Sequence, residues 1–70
     1  MHLYANSRNS GVISYNIGTD YIVVRFNTGG TYTYSYRKAG IDHVERMKDL
    51  AQKGKGLNTY ISRFVKDLYD

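Results

Sequence analysis

The sequence contains no cysteine, no proline and no tryptophan. Without cysteine there is no disulfide framework and no thiolate metal site, which predicts a reducing, cytoplasmic setting. His2 and His43 are too few for a structural zinc site without cysteines, so no metal and no cofactor is expected. No proline fixes a turn in advance. No apolar run approaches ~18 residues, and the polar stretch after Met1 lacks a signal-peptide pattern, so no membrane association is expected. Acidic residues are also scarce in one region: between Gln52 and Lys66 there are four basic residues and none that is acidic.

What is present fits one small domain. Seventy residues lie near the lower limit for a self-sufficient core. Such a core has little room for an internal ligand pocket, which directs attention to the surface. The formal net charge is +4, concentrated in the second half, and a local excess of this sign suits an acidic partner. Tyrosine is abundant, with eight against two phenylalanines. Its ring offers a stacking face with a polar handle, which suits wet interfaces and half-buried sheets equally.

The apolar residues alternate through the first half. Residues 11–17 place Ile13, Tyr15 and Ile17 on one face. Residues 21–27 place Ile22, Val24 and Phe26 on one face and Tyr21, Val23 and Arg25 on the other. Residues 31–36 set Tyr32, Tyr34 and Tyr36 against Thr31, Thr33 and Ser35. Period-2 patterns separated by Gly, Asn, Asp and Thr predict a three-stranded antiparallel β-meander. Residues 1–10 read as a flexible lead-in.

Loop length fixes the register. A four-residue link over 18–21 places Ile17 opposite Ile22. The link Asn27-Thr28-Gly29 fits a three-residue hairpin with Gly29 left-handed, which puts Val24 opposite Tyr32 and Ile22 opposite Tyr34. An even-numbered loop would move the tyrosines to the other face. On the odd-numbered reading, Tyr36 at the strand end is the tyrosine expected to stay exposed, and the open face carries Val12, Ser14, Asn16, Tyr21, Val23, Arg25, Thr31, Thr33 and Ser35.

After Tyr36 the period changes. Asp42 reads as an N-cap, with Glu45 completing a capping-box-like pair. Val44, Met47, Leu50 and Ala51 form a helical stripe, and Gly54 and Gly56 end it. Leu57, Tyr60, Ile61, Phe64, Val65 and Leu68 form a second stripe, with Arg63/Asp67 and Lys66/Asp70 as candidate i,i+4 pairs. The expectation is a single α+β domain over 1–70, two α-helices packed on one face of a three-stranded sheet.

No catalytic constellation emerges. The carboxylates are not paired for hydrolysis, His43 has no nucleophile or triad partner, and Lys53-Gly54-Lys55-Gly56 lacks the spacing of a phosphate loop. The expectation is a non-catalytic binding module. Its candidate nucleic-acid-binding residues are Tyr36, Arg37, Lys38, Lys53, Lys55, Arg63 and Lys66, which combine a strand-end aromatic with a basic turn and helix surface. Read on residues alone, these charges are better described as a solvated turn and helix face.

The residues Ser7, Tyr15, then Ile22, Val24 and Phe26, then Gly29-Gly30-Thr31-Tyr32-Thr33-Tyr34, Lys53-Gly54-Lys55 and Leu57-Asn58 with Ile61 follow a recognisable order. Over about residues 7–62 the sequence resembles the KTSC domain. That short module is named for its place at the C-terminus of some lysyl-tRNA synthetases, and it also occurs as a stand-alone bacterial or phage protein. It departs from the family at Ser10 and Ser14, lacks the Val-Pro that opens the first helix, and has Gly56 and Leu57 where relatives carry an aromatic pair. The resemblance implies this α+β fold and suggests RNA as the partner. The competing expectation is a protein-interaction module using Tyr21, Val23 and Arg25, as in a small phage-encoded protein that binds and masks a host factor. A monomer or weak homodimer fits either reading.

Overall fold

The computed structural model describes residues 1–8 and 10–70. Among these, a four-stranded antiparallel sheet runs in sequence order: β1 (His2–Leu3), β2 (Val12–Ile17), β3 (Tyr21–Phe26) and β4 (Thr31–Ser35). The helical layer follows, with α1 (Ile41–Lys53), α2 (Leu57–Tyr60) and a π-helical continuation over Ile61–Val65.

The α+β architecture and both hairpin registers match the sequence expectation. Ile17 pairs with Ile22, Val24 with Tyr32, and Ile22 with Tyr34. Gly29 takes φ 98°, which only a residue without a Cβ adopts at little cost, and this sets the odd-numbered turn. Tyr34 is therefore in the core, 1% exposed.

Three expectations are corrected. The first is the three-stranded count: the segment read as a lead-in supplies a fourth strand. His2 pairs with Tyr15 and Leu3 with Ser14, and the Tyr4 N–H donates to the Ile13 carbonyl at 2.8 Å. Tyr4 is fully buried, and its hydroxyl accepts the Leu57 N–H at 3.1 Å, tying the N-terminal segment to the first turn of α2. Among the described residues of this polar stretch Tyr4 is the one large side chain that reaches the core, so periodicity has nothing to register there.

The second correction lies in β2. A bulge at Ile13 brings Val12 opposite Phe26 while Ser14 stays opposite Arg25. One extra residue inverts the alternation beyond it. Val12 is consequently fully buried instead of lying on the open face, and Ile13 is only half-buried.

The third concerns the helices. α1 starts at Ile41 with Gly40 as its N-cap and no side-chain cap, because the chain arrives through a tight turn in which the Gly40 N–H donates to the Tyr36 carbonyl at 3.0 Å. Asp42 instead sits in the first turn, where its charge complements the helix dipole. Glu45 is engaged by Tyr36 and Lys48. In the last helical segment, a π-turn holds more residues than an α-turn, so Leu57, Ile61 and Val65 at intervals of four line up on the buried side. Phe64, expected in the core, is rotated out and 55% exposed.

Val44, Met47 and Ala51 of α1, with Leu57, Ile61 and Val65, close over Val12, Ile22, Val24 and Tyr34 of the sheet. Each large apolar side chain buried this way contributes roughly 1.5–3 kcal/mol. The chain then folds back after Val65. The Leu68 N–H donates to the Val65 carbonyl at 2.9 Å, and the Asp70 N–H to the Thr33 carbonyl at 2.7 Å, so residues 69–70 lie along the outer edge of β4.

Candidate functional site

The helical layer covers the turn end of β3 and β4 only in part. Phe26 and Tyr32 belong to the core face of the sheet at its turn end, where Phe26 is only partly buried and Tyr32 is 37% exposed. Tyr69, brought back by the turn after Val65, leans on both strand tyrosines. Its ring centroid is 4.7 Å from that of Tyr32 and 6.3 Å from that of Tyr34, and Tyr32 meets Phe26 edge-on at 5.7 Å. These rings, with Thr28, Ile61, Ser62, Lys66 and Asp67, line a groove of about 550 Å³. Burial, and then the neighbouring Tyr32 and Tyr69, push the Tyr34 hydroxyl up to about 12, so it stays protonated as the floor of this groove.

A second, smaller depression of about 340 Å³ is formed by Ser35, Arg37, Lys38 and Asp70. Here the Ser35 hydroxyl donates to the Asp70 carboxylate at 2.7 Å. The two depressions flank the Tyr69–Asp70 segment on the same edge of the sheet.

Of the residues expected to bind nucleic acid, Lys66 lies in the aromatic groove, and Arg37 and Lys38 lie in the smaller depression. Lys53 is paired with Asp49 at 3.0 Å, and Lys55 and Arg63 are exposed away from both depressions. The basic residues therefore do not form one cluster. Neither expected i,i+4 pair forms: among the described residues the ion pairs are Arg46–Asp49, Lys48–Glu45 and Lys53–Asp49.

Tyr36 is the clearest displacement from expectation. Far from being the free strand-end ring, it is half-buried and donates its hydroxyl to the Glu45 carboxylate, with the Lys48 ammonium 5.3 Å from its ring centroid. The bond to Glu45 raises the Tyr36 hydroxyl above the ordinary tyrosine range. Hydrogen bonds from Lys48 and then Tyr36 hold the Glu45 carboxyl below the usual carboxylate range. Lys48 also donates to the Thr19 carbonyl at 3.1 Å, so these residues brace α1 against the β2–β3 turn.

No family model, curated protein or solved structure matches this chain.

On the open sheet face, Tyr21 and Val23 are half-buried and Arg25 is exposed. The Tyr21 ring folds over Gly18 so closely that a Cβ there would meet the ring at 2.0 Å. One side of the ring is thus taken up by its own hairpin. A third aromatic group lies on the helical layer, where His43 Nδ1 and the Tyr60 hydroxyl are 2.7 Å apart and Phe64 packs against Tyr60 at 4.8 Å.

Sequence reasoning missed Tyr69, Phe26, Ser62 and Asp67 as groove residues. Phe26 and Tyr32 carried a signal, since the hairpin register already places them at the same end of one face. Tyr69 carried none, because it follows the last stripe residue and reaches the sheet only through the return of the chain.

Proposed function

We propose that this chain is a non-catalytic RNA-binding domain that takes up an unpaired strand along the β4 edge. The supporting observation is the groove in which the exposed rings of Tyr32 and Tyr69 stand beside Lys66. An aromatic face next to a cation is the minimal apparatus for an unpaired nucleotide, with the ring stacking on the base and the ammonium meeting the phosphate. Each stacked base is worth about 1–3 kcal/mol. Arg37 and Lys38, further along the same edge, extend the phosphate track. The resemblance to the KTSC domain leans the same way, as does the net charge of +4.

The open sheet face supports a protein interface less well, because Tyr21 already packs on Gly18. An RNA titration separates the two readings. Fluorescence anisotropy of a labelled single-stranded RNA, measured over a range of salt, is expected to show saturable binding that weakens as salt rises, with a log–log slope of about −0.7 per phosphate neutralised. Tyr32→Ala and Lys66→Glu are expected to lower the affinity, the second also reducing the slope. Absence of saturable binding at low salt, or binding indifferent to both substitutions, would contradict the reading.

A further inference from the structure

The groove holds one group that a purely electrostatic track does not need. Asp67 lines it beside Lys66 and Ser62, facing the same space as Tyr32 and Tyr69. Among the described residues Asp67 takes part in no ion pair, although Arg63 is one turn away. A carboxylate repels phosphate, so in a site for an unpaired strand its use is to meet a base edge. It is an acceptor only, with two oxygens set to receive two parallel N–H donors.

The bases differ sharply in this respect. Guanine presents two adjacent donors, N1–H and the 2-amino group, on its pairing edge. Adenine and cytosine each present one amino group beside an unprotonated ring nitrogen, whose lone pair opposes a carboxylate. Uracil presents a single N–H between two carbonyl oxygens. From the shared lining of Tyr32, Tyr69, Lys66 and Asp67, we infer that the groove is a guanine site within single-stranded RNA. The tyrosine rings stack on the base, Asp67 accepts from N1–H and the 2-amino group, and Lys66 contacts an adjoining phosphate.

This inference rests on the RNA-binding reading, and the test keeps the two apart. Short oligouridylates carrying one central guanosine, inosine or adenosine are titrated into the full chain and into Asp67→Asn. Inosine keeps N1–H and lacks the 2-amino group, so it isolates one of the two bonds. The expected result is a preference for guanosine over adenosine on the order of tenfold, with inosine between them. Asp67→Asn is expected to erase the preference while salt-dependent binding persists. Equal binding of the three oligonucleotides, or a preference unchanged in Asp67→Asn, overturns the guanine assignment and leaves RNA binding standing. No binding of any of them at low salt overturns both. A short arginine-containing peptide that displaces the guanosine oligonucleotide and is itself lost in Asp67→Asn also overturns the assignment, because it makes the groove a guanidinium site.

Discussion

Replacing Tyr4 by phenylalanine removes a single oxygen from the interior and leaves every ring contact in place. That oxygen accepts the Leu57 N–H at 3.1 Å, and both residues are fully buried. Leu57 opens α2, so its amide has no acceptor within the helix, and water cannot reach it. A buried amide left without a partner costs about 1–3 kcal/mol. At roughly 0.05–0.15 kcal/mol per residue, a chain of 70 residues has a total stability of only about 3.5–10.5 kcal/mol. Tyr4→Phe is therefore expected to lower the urea midpoint with an unchanged m-value, and to lower Tm by about 4–8 °C for each kcal/mol lost. Amide exchange adds the local readout, with the Leu57 amide losing protection beyond the global change. Tyr4→Ala also empties the ring site, at about 3–5 kcal/mol, and is expected to leave a large unfolded fraction. If Tyr4→Phe unfolds at the same urea concentration as the parent, the hydroxyl does not hold the helix start and the account of the N-terminal segment is wrong.

Other outcomes follow from the same structure. Gly54→Ala is expected to cost more than Gly29→Ala in denaturant unfolding. Both have positive φ, worth roughly 1–2 kcal/mol, but a Cβ at Gly54 would lie 2.5 Å from the Ala5 Cβ while that at Gly29 meets nothing within 4 Å. Because burial raises the Tyr34 hydroxyl from the ordinary 10.0 to about 12 in the folded chain, its contribution is fully present below pH 10.0 and is lost as pH rises toward about 12. Thermal unfolding followed through that window should show falling stability, with a shallower fall in Tyr34→Phe. Glu45 behaves oppositely. Its depressed carboxyl contributes stability above its unfolded value and loses it as pH falls, so Glu45→Gln should flatten the acid limb of the stability curve. Tyr69→Ala is expected to weaken RNA affinity about as much as Tyr32→Ala, each by about 1–3 kcal/mol per base unstacked, in the same anisotropy assay.

The sheet was legible where pattern and turn length agree. Alternation located β2, β3 and β4, and the glycine in the second hairpin decided which face holds Tyr34. It failed at Val12 because a bulge is a local backbone event that leaves no mark on a period-2 count. β1 escaped notice because a two-residue strand has no period at all, and its worth lies in Tyr4, whose partner is more than fifty positions away in sequence. The helices were legible as stripes, yet the π-turn moved Phe64 outward, since periodicity assumes a constant residue count per turn. The candidate site was half legible. Lys66, Arg37 and Lys38 were singled out from charge, whereas Tyr36 proved to be a brace for α1, and Tyr69 and Asp67 joined the groove only through the reversal of the chain after Val65.

The measurement that bears most directly on the central proposal is a two-dimensional amide NMR titration of the labelled chain with single-stranded RNA at low and moderate salt. The account predicts salt-sensitive shifts concentrated at Tyr32, Ser62, Lys66, Asp67 and Tyr69, tapering toward Arg37 and Lys38. Shifts confined to Tyr21, Val23 and Arg25, or none at either salt, would contradict it.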